Sequence, residues 1–116
     1  MRFLVSLSHA WRGIRTVWSE ERNFRIQAVS AVAVLIIAFA FDFSFIEKVS
    51  CIFAITLVLT AEAANTALED LCNKIEPGHD IVIGKIKDVA SGFVLISGFG
   101  AAAAGVLVFL HHFFLI

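Results

Sequence analysis

Three apolar runs, at residues 26–41, 46–61 and 89–116, limit what this chain can fold into. Each approaches or exceeds the roughly 17 to 25 apolar residues that carry a helix across a hydrocarbon core about 30 Å thick. A hydrophobic content of 59% and a mean hydropathy of +0.90 lie well above the roughly 45 to 50% apolar usage of soluble domains. The class is therefore a membrane protein. With 116 residues there is room for one domain, 1–116, and not for a soluble core beside the spans.

Upstream of the first run, Phe3, Leu4, Leu7, Trp11, Ile14 and Trp18 fall on one helical stripe, with Arg2, His9, Arg12 and Arg15 over the rest. This pattern predicts an amphipathic helix over 1–19 lying in the membrane interface, arginines at the headgroups and tryptophans at the polar boundary. A cleaved signal peptide fits poorly, because Arg12 and Arg15 interrupt any apolar core and no A-x-A-like site follows. The expected fold is all-α: that interfacial helix plus three transmembrane helices at 26–42, 46–75 and 89–116, packed as a helical bundle. Pro77-Gly78 ends the second span, and Ser97, Ala101 and Gly105 give the third a small-xxx-small packing edge beside the 101–104 alanine tract. Eight of the nine Lys and Arg residues lie before the first span or around the 76–88 loop; only Lys48 lies at the other end. The positive-inside bias then puts the N-terminus and that loop in the cytoplasm and the C-terminus outside.

Directly after the second apolar run come Glu62, Asn65 and Glu69. At about 100° per residue they fall within about 60° of one another on a helix, so they share a face. A charge at membrane depth costs roughly 2.5 to 3.5 kcal/mol on insertion scales, which makes an acid there a functional-site hypothesis by default. If the spans pack as a bundle, Glu20-Glu21 and Lys87-Asp88 reach the same membrane face. Two or three carboxylates with a nearby lysine suit Mg²⁺ and a phosphate, the ingredients of phosphoryl transfer.

Simpler readings account for some neighbours. Asp70 and Lys74 form an i,i+4 pair on an exposed face, Lys87 alone is an inside anchor, Glu20 and Glu21 favour a helix start, and His111-His112 marks an interfacial end. Cys51 and Cys72, about 31 Å apart along one helix, cannot form an intrachain disulfide and read as packing residues. No P-loop is present: Gly84-Lys85 lacks the earlier glycine and the following Ser or Thr. Gly98-Phe99-Gly100 lies mid-span with no strand before it. Outside the first 25 residues no basic face interleaved with aromatics exists, which excludes nucleic acid as a partner.

Three segments resemble a known family, the small integral-membrane bacterial lipid kinases that comprise prokaryotic diacylglycerol kinase and undecaprenol kinase. Glu62-Ala-Ala-Asn65-Thr-Ala-Leu-Glu69 resembles the E-x-x-N-[ST]-A-[IL]-E signature, Glu21-Arg22-Asn23-Phe24-Arg25 the E-x-x-F-[RQ] segment, and Lys87-Asp88 with Ala90 and Gly92 the K-D-x-[AG]-[AS] segment. The resemblance implies that Glu62 is the general base, that Glu21 and Glu69 hold Mg²⁺ and contact ATP, and that Asn65 supports the site. It further implies that Lys87 and Asp88 contact ATP, with Arg2, His9, Gly78, His79 and Asp80 near nucleotide or headgroup and Trp11 and Arg15 at the substrate. A homotrimer in the bacterial cytoplasmic (inner) membrane is the implied assembly and location.

The expected function is thus ATP- and Mg²⁺-dependent phosphorylation of a membrane lipid alcohol at the cytoplasmic face. Glu21 to Ile26 resembles the undecaprenol-kinase branch, so undecaprenol is favoured and diacylglycerol comes next. The rival is a small oligomeric proton or cation conductor using the same carboxylates as a relay. It would need polar groups through the whole membrane depth, and the outer halves of the spans offer only Ser50, Thr56 and Ser97. A structural adaptor without chemistry would leave Glu62 unexplained.

Overall fold

A computed structural model describes residues 2–116 as four helices: α1 (Arg2–Glu20), α2 (Arg22–Ala40), α3 (Phe45–Ile75) and α4 (Ile81–Phe114), with no strand among the described residues. α2, α3 and α4 are long and apolar enough to cross a membrane. The architecture is an all-α bundle with an N-terminal helix and three membrane-length helices. α3 is its spine: α2 and α4 both pack on it and hardly on each other. In the most apolar stretch of each helix only 17%, 17% and 6% of residues are buried within the chain, so lipid or other chains must cover the rest.

The apolar stripe of α1 stays uncovered, with Phe3 71%, Leu4 67% and Trp11 62% exposed and only Val17 buried. Only Glu21 separates α1 from α2. At this elbow the Arg25 guanidinium donates through Nη1 to the carbonyl oxygens of Trp18 (2.7 Å) and Ser19 (3.1 Å). Those carbonyls end α1 and have no partner inside the helix, so Arg25 caps one helix from the first turns of the next.

α2 ends in a Schellman turn. The Phe43 amide donates to Ala38 O at 2.9 Å, and Asp42 takes the left-handed conformation at φ 52, which short polar side chains tolerate better than most. Phe43, 3% exposed, turns inward onto Ala38 and Cys51 and meets Phe109 edge-to-face at 5.4 Å. Ser44 then opens α3 with a capping box: the Glu47 amide donates to Ser44 Oγ, and the Ser44 amide donates to Glu47 Oε1 at 2.7 Å. Cys51 and Cys72 are both buried free thiols, as their packing role predicts.

Two helices, α2 and α4, have bounds that differ from the sequence expectation. α4 begins at Ile81, not at residue 89, so the 76–88 loop contracts to a turn at 76–80. The Asp80 carboxylate accepts from the Ile83 amide at 2.9 Å and caps the new start. Lys85, Lys87 and Asp88 mark where the helix leaves the apolar run, which is a depth and not a helix end. α2 likewise starts at Arg22, ahead of residue 26, and ends at Ala40. At about 1.5 Å per residue α3 and α4 are roughly 46 and 51 Å long, and both overrun a hydrocarbon core of about 30 Å.

At the far end from that turn, Glu47 is 6% exposed and accepts from His111 Nδ1 (3.2 Å) and His112 Nδ1 (3.0 Å). His112 Nε2 also donates to Phe41 O at 2.9 Å. Both ring nitrogens of His112 are thereby engaged, one with the Glu47 carboxyl and one with the Phe41 carbonyl. The two histidines are therefore more than an interfacial end. They clasp the end of α2, the start of α3 and the end of α4. Replacing Glu47 by Ala or His112 by Leu should strip hydrogen-exchange protection from the last turns of α4 and lower the melting temperature, while the α3–α4 turn keeps its protection.

Candidate active site

Glu62 sits where the apolar part of α3 gives way to polar residues, and it is 4% exposed. One turn on, the buried Thr66 hydroxyl donates to the Glu62 carbonyl oxygen at 3.0 Å, which occupies that hydroxyl with backbone and leaves the carboxyl to others. Gln27 of α2 faces the Glu62 carboxyl, and the Glu21 and Glu69 carboxylates stand near enough for their charges to act on it. The elbow places Glu21 here, because it is the single residue joining α1 to α2 and the Arg25 cap holds that joint. Glu69 follows two turns after Glu62 on the same face of α3, at an exposed position.

Two side-chain oxygens in this region, Gln27 Oε1 and Asn65 Oδ1, are buried without a hydrogen-bond partner. A buried acceptor left unmade costs about 1 to 3 kcal/mol, so their surroundings call for a donor or a cation. Among the described residues no three His, Cys, Asp or Glu side chains form a ready metal cage. Mg²⁺ does not require one, since it takes one or two carboxylates and completes its shell with water and phosphate oxygens. Glu21, Glu69 and the free Asn65 oxygen are hard donors of that kind, and the set fits the ion.

The remaining expected site residues lie elsewhere in the chain. Lys87 of α4 is half-buried and its ammonium donates to Asn73 Oδ1 of α3, about 16 Å beyond Glu62 at roughly 1.5 Å per residue. Asp88 is exposed beside it. Gly78, His79 and Asp80 are exposed in the α3–α4 turn, where the Gly78 amide donates to Glu76 Oε1 at 3.0 Å and Asp80 is occupied as a cap. Arg2, His9, Trp11 and Arg15 are exposed on α1; along that helix Arg2 and His9 lie roughly 28 and 18 Å from Glu21. Gln27 thus meets Glu62 with Asn65 one turn on and the Glu21 and Glu69 charges acting on it, while Arg2 and His9 stand exposed towards the far end of α1 and residues 78–80 in the α3–α4 turn. Gln27 is the addition that sequence reasoning missed. Its signal was present: an amide inside an apolar run is the same anomaly as Glu62.

A multi-pass membrane protein with a buried acid between flanking carboxylates is what the fold and the cluster define. The chain belongs to the prokaryotic diacylglycerol kinase family, whose description matches residues 8–109; the family comprises lipid kinases acting on membrane alcohols. It is 36% identical over 109 residues to the undecaprenol kinase of Bacillus subtilis, covering 94% of this chain and 89% of that one. It is 29% identical over 112 residues to the diacylglycerol kinase of Escherichia coli K12, covering 97% and 92%. A diacylglycerol kinase of Synechocystis is 33% identical over 103 residues, covering 88% of this chain and 59% of that one.

The elbow yields a direct test. Arg25→Met removes the cap from the end of α1, so the amides of residues 17–25 should exchange faster with solvent. Arg25→Lys should restore little of that protection, since one ammonium does not reproduce a guanidinium spanning two carbonyls.

Proposed function

We propose that this protein transfers the γ-phosphoryl group of ATP to the hydroxyl of a membrane lipid alcohol, undecaprenol before diacylglycerol, at the cytoplasmic face of the bacterial inner membrane. The observation that carries this reading is the buried Glu62 carboxyl at the membrane boundary, flanked by Glu21 and Glu69. Such an acid reaches a lipid hydroxyl at the depth where the headgroup lies. As general base it takes the hydroxyl proton while the lipid oxygen bonds to the γ-phosphorus and the bond to the β,γ-bridging oxygen breaks, leaving ADP. Glu21 and Glu69, supported by Asn65, would hold Mg²⁺, which when bound neutralises phosphate charge. Lys87, Asp88 and the Gly78–Asp80 turn lie on the polar extension of the α3–α4 hairpin, where a soluble nucleotide has access.

Two further parts of the reading rest on physical arguments. Arg2, His9 and the turn lie far from Glu62 within one chain, and most of each span is uncovered; a homotrimer would supply both the missing groups and the covering surface. The basic residues at the α1 and α3–α4 turn end favour a cytoplasmic N-terminus, with the Glu47 clasp and the C-terminus outside. A cation relay gains no support. Between Glu62 and Glu47 the space among the helices is walled mainly by Ala, Val, Leu and Ile.

Purified protein in micelles should move labelled γ-phosphate to undecaprenol or diacylglycerol only when Mg²⁺ is added. Glu62→Gln should lower turnover by at least about 10²-fold with unchanged helicity and melting; a full-rate Glu62→Gln protein would remove the base assignment. Glu69→Gln should raise the Mg²⁺ concentration needed for half-maximal rate and recover partly at high Mg²⁺.

A further inference from the structure

The clasp at the start of α3 uses its two histidines differently. His111, with its side chain 64% exposed, engages Glu47 Oε2 through Nδ1 alone, and a neutral ring with its one N–H at Nδ1 makes that bond. His112, 21% exposed, engages two groups: Nδ1 lies 3.0 Å from Glu47 Oε1, and Nε2 lies 2.9 Å from the Phe41 carbonyl oxygen. A carbonyl oxygen only accepts, so Nε2 carries a proton. A second proton must then lie between Nδ1 and Oε1, since two lone pairs at that distance repel. A neutral ring has one N–H, so beside an ionised Glu47 it donates to Glu47 or to Phe41 and not to both. The closed clasp therefore holds one proton more than neutral His112 beside ionised Glu47. The ring also lies against Phe43, with centroids 4.2 Å apart, and meets Phe113 edge-on at 4.9 Å; a cation against an aromatic face gains an attraction that a neutral ring lacks.

We propose that His112 is a pH-dependent fastener of this end of the bundle: doubly protonated it ties Glu47 of α3 to the Phe41 carbonyl just past α2, and neutral it keeps one of the two, so the end of α4 and the α2–α3 turn loosen as pH rises. Histidine is the side chain whose charge changes between about pH 5 and 8, which sets the window. Because the closed state holds the extra proton, closing is favoured at low pH and that gain is lost as pH rises. The neighbouring groups leave this role to His112. α2 carries no charged side chain after Arg25, and Asp42 stands exposed in the turn that follows it. On α3, Lys48 turns its ammonium to the Phe39 ring at 4.5 Å, and the Cys51 thiol is packed with Phe43 in the core. Among the described residues the ion pairs at this end are those of Glu47 with His111 and His112. Glu47 lies roughly 22 Å from Glu62 along α3 at about 1.5 Å per residue, so the fastener answers to protons at the opposite end from the carboxylate cluster.

The test is amide hydrogen exchange on the full chain in detergent micelles from about pH 5.5 to about pH 8.5, with a chelator present so that no metal ion competes for the imidazoles. Protection factors of amides 109–114, corrected for the intrinsic exchange rate, should fall at least about tenfold over that range, the factor carried by losing one hydrogen bond to a charged group. Amides 62–70, at the other end of α3, should keep theirs. The fall should persist in His111→Gln, whose lost bond needs no extra proton, and vanish in His112→Gln. Protection that is flat with pH in the wild-type protein would overturn the proposal, as would an equal fall in His112→Gln. Where His112→Gln leaves this end frayed at every pH, the ring ¹⁵N shifts of the wild-type protein decide. Two protonated nitrogens on His112 at about pH 5.5 giving way to one by about pH 8.5 support the fastener; a ring neutral throughout, or doubly protonated throughout, overturns it.

Discussion

Lipid offers no hydrogen bonds, and the placement of nearly every polar group in this chain answers to that constraint. Backbone amides and carbonyls are satisfied inside four helices, and the helix ends, where satisfaction fails, are closed by side chains: Arg25 over the end of α1, Ser44 and Glu47 at the start of α3, Asp80 at the start of α4. Side chains that must stay polar at depth are tied to one another, as Glu47 is to His111 and His112. Gln27 and Asn65 stand apart because a side-chain oxygen of each is buried without a partner, close to the buried Glu62. In a medium that penalises each such atom, that incompleteness is the mark of a site.

The spine role of α3 explains how the two ends of the molecule can differ in purpose. Its first turns are locked by the clasp and by Phe43 packed on Cys51, Phe109 and Ala38. Its other end runs past the bilayer and is joined to α4 through the Asn73–Lys87 contact. Between them α3 carries α2 on one side and α4 on another, so the end that bears Glu69 stays exposed while the Glu47 end is held by side-chain contacts.

Much of the fold is legible in residues taken one by one. The three apolar runs, the α1 stripe and the Pro77 stop are local signals, and the helices follow them. The helices begin ahead of residues 26 and 89 because hydropathy reports depth, and a helix continues past an apolar run wherever a cap such as Asp80 allows. The Ser44-x-x-Glu47 capping box was also readable, but the partners that Glu47 finds some sixty residues later were not. In the site, Glu62, Asn65 and Glu69 share a face by helical spacing alone. Gln27 joins them from another helix, and no periodicity within either segment announces that meeting.

The sequence by itself determined the membrane class, the number of spans, the acid-bearing face of α3 and, through its three short segments, the family. These depend on composition and on contacts within a few turns, which are set by covalent order. Tertiary structure alone decided that Gln27 of α2 meets Glu62 of α3, that His112 bridges Glu47 and Phe41, and that an apolar groove opens among the spans. Those facts depend on the rotation and offset of packed helices, which arise from side chains distant in sequence fitting together and are written in no single segment.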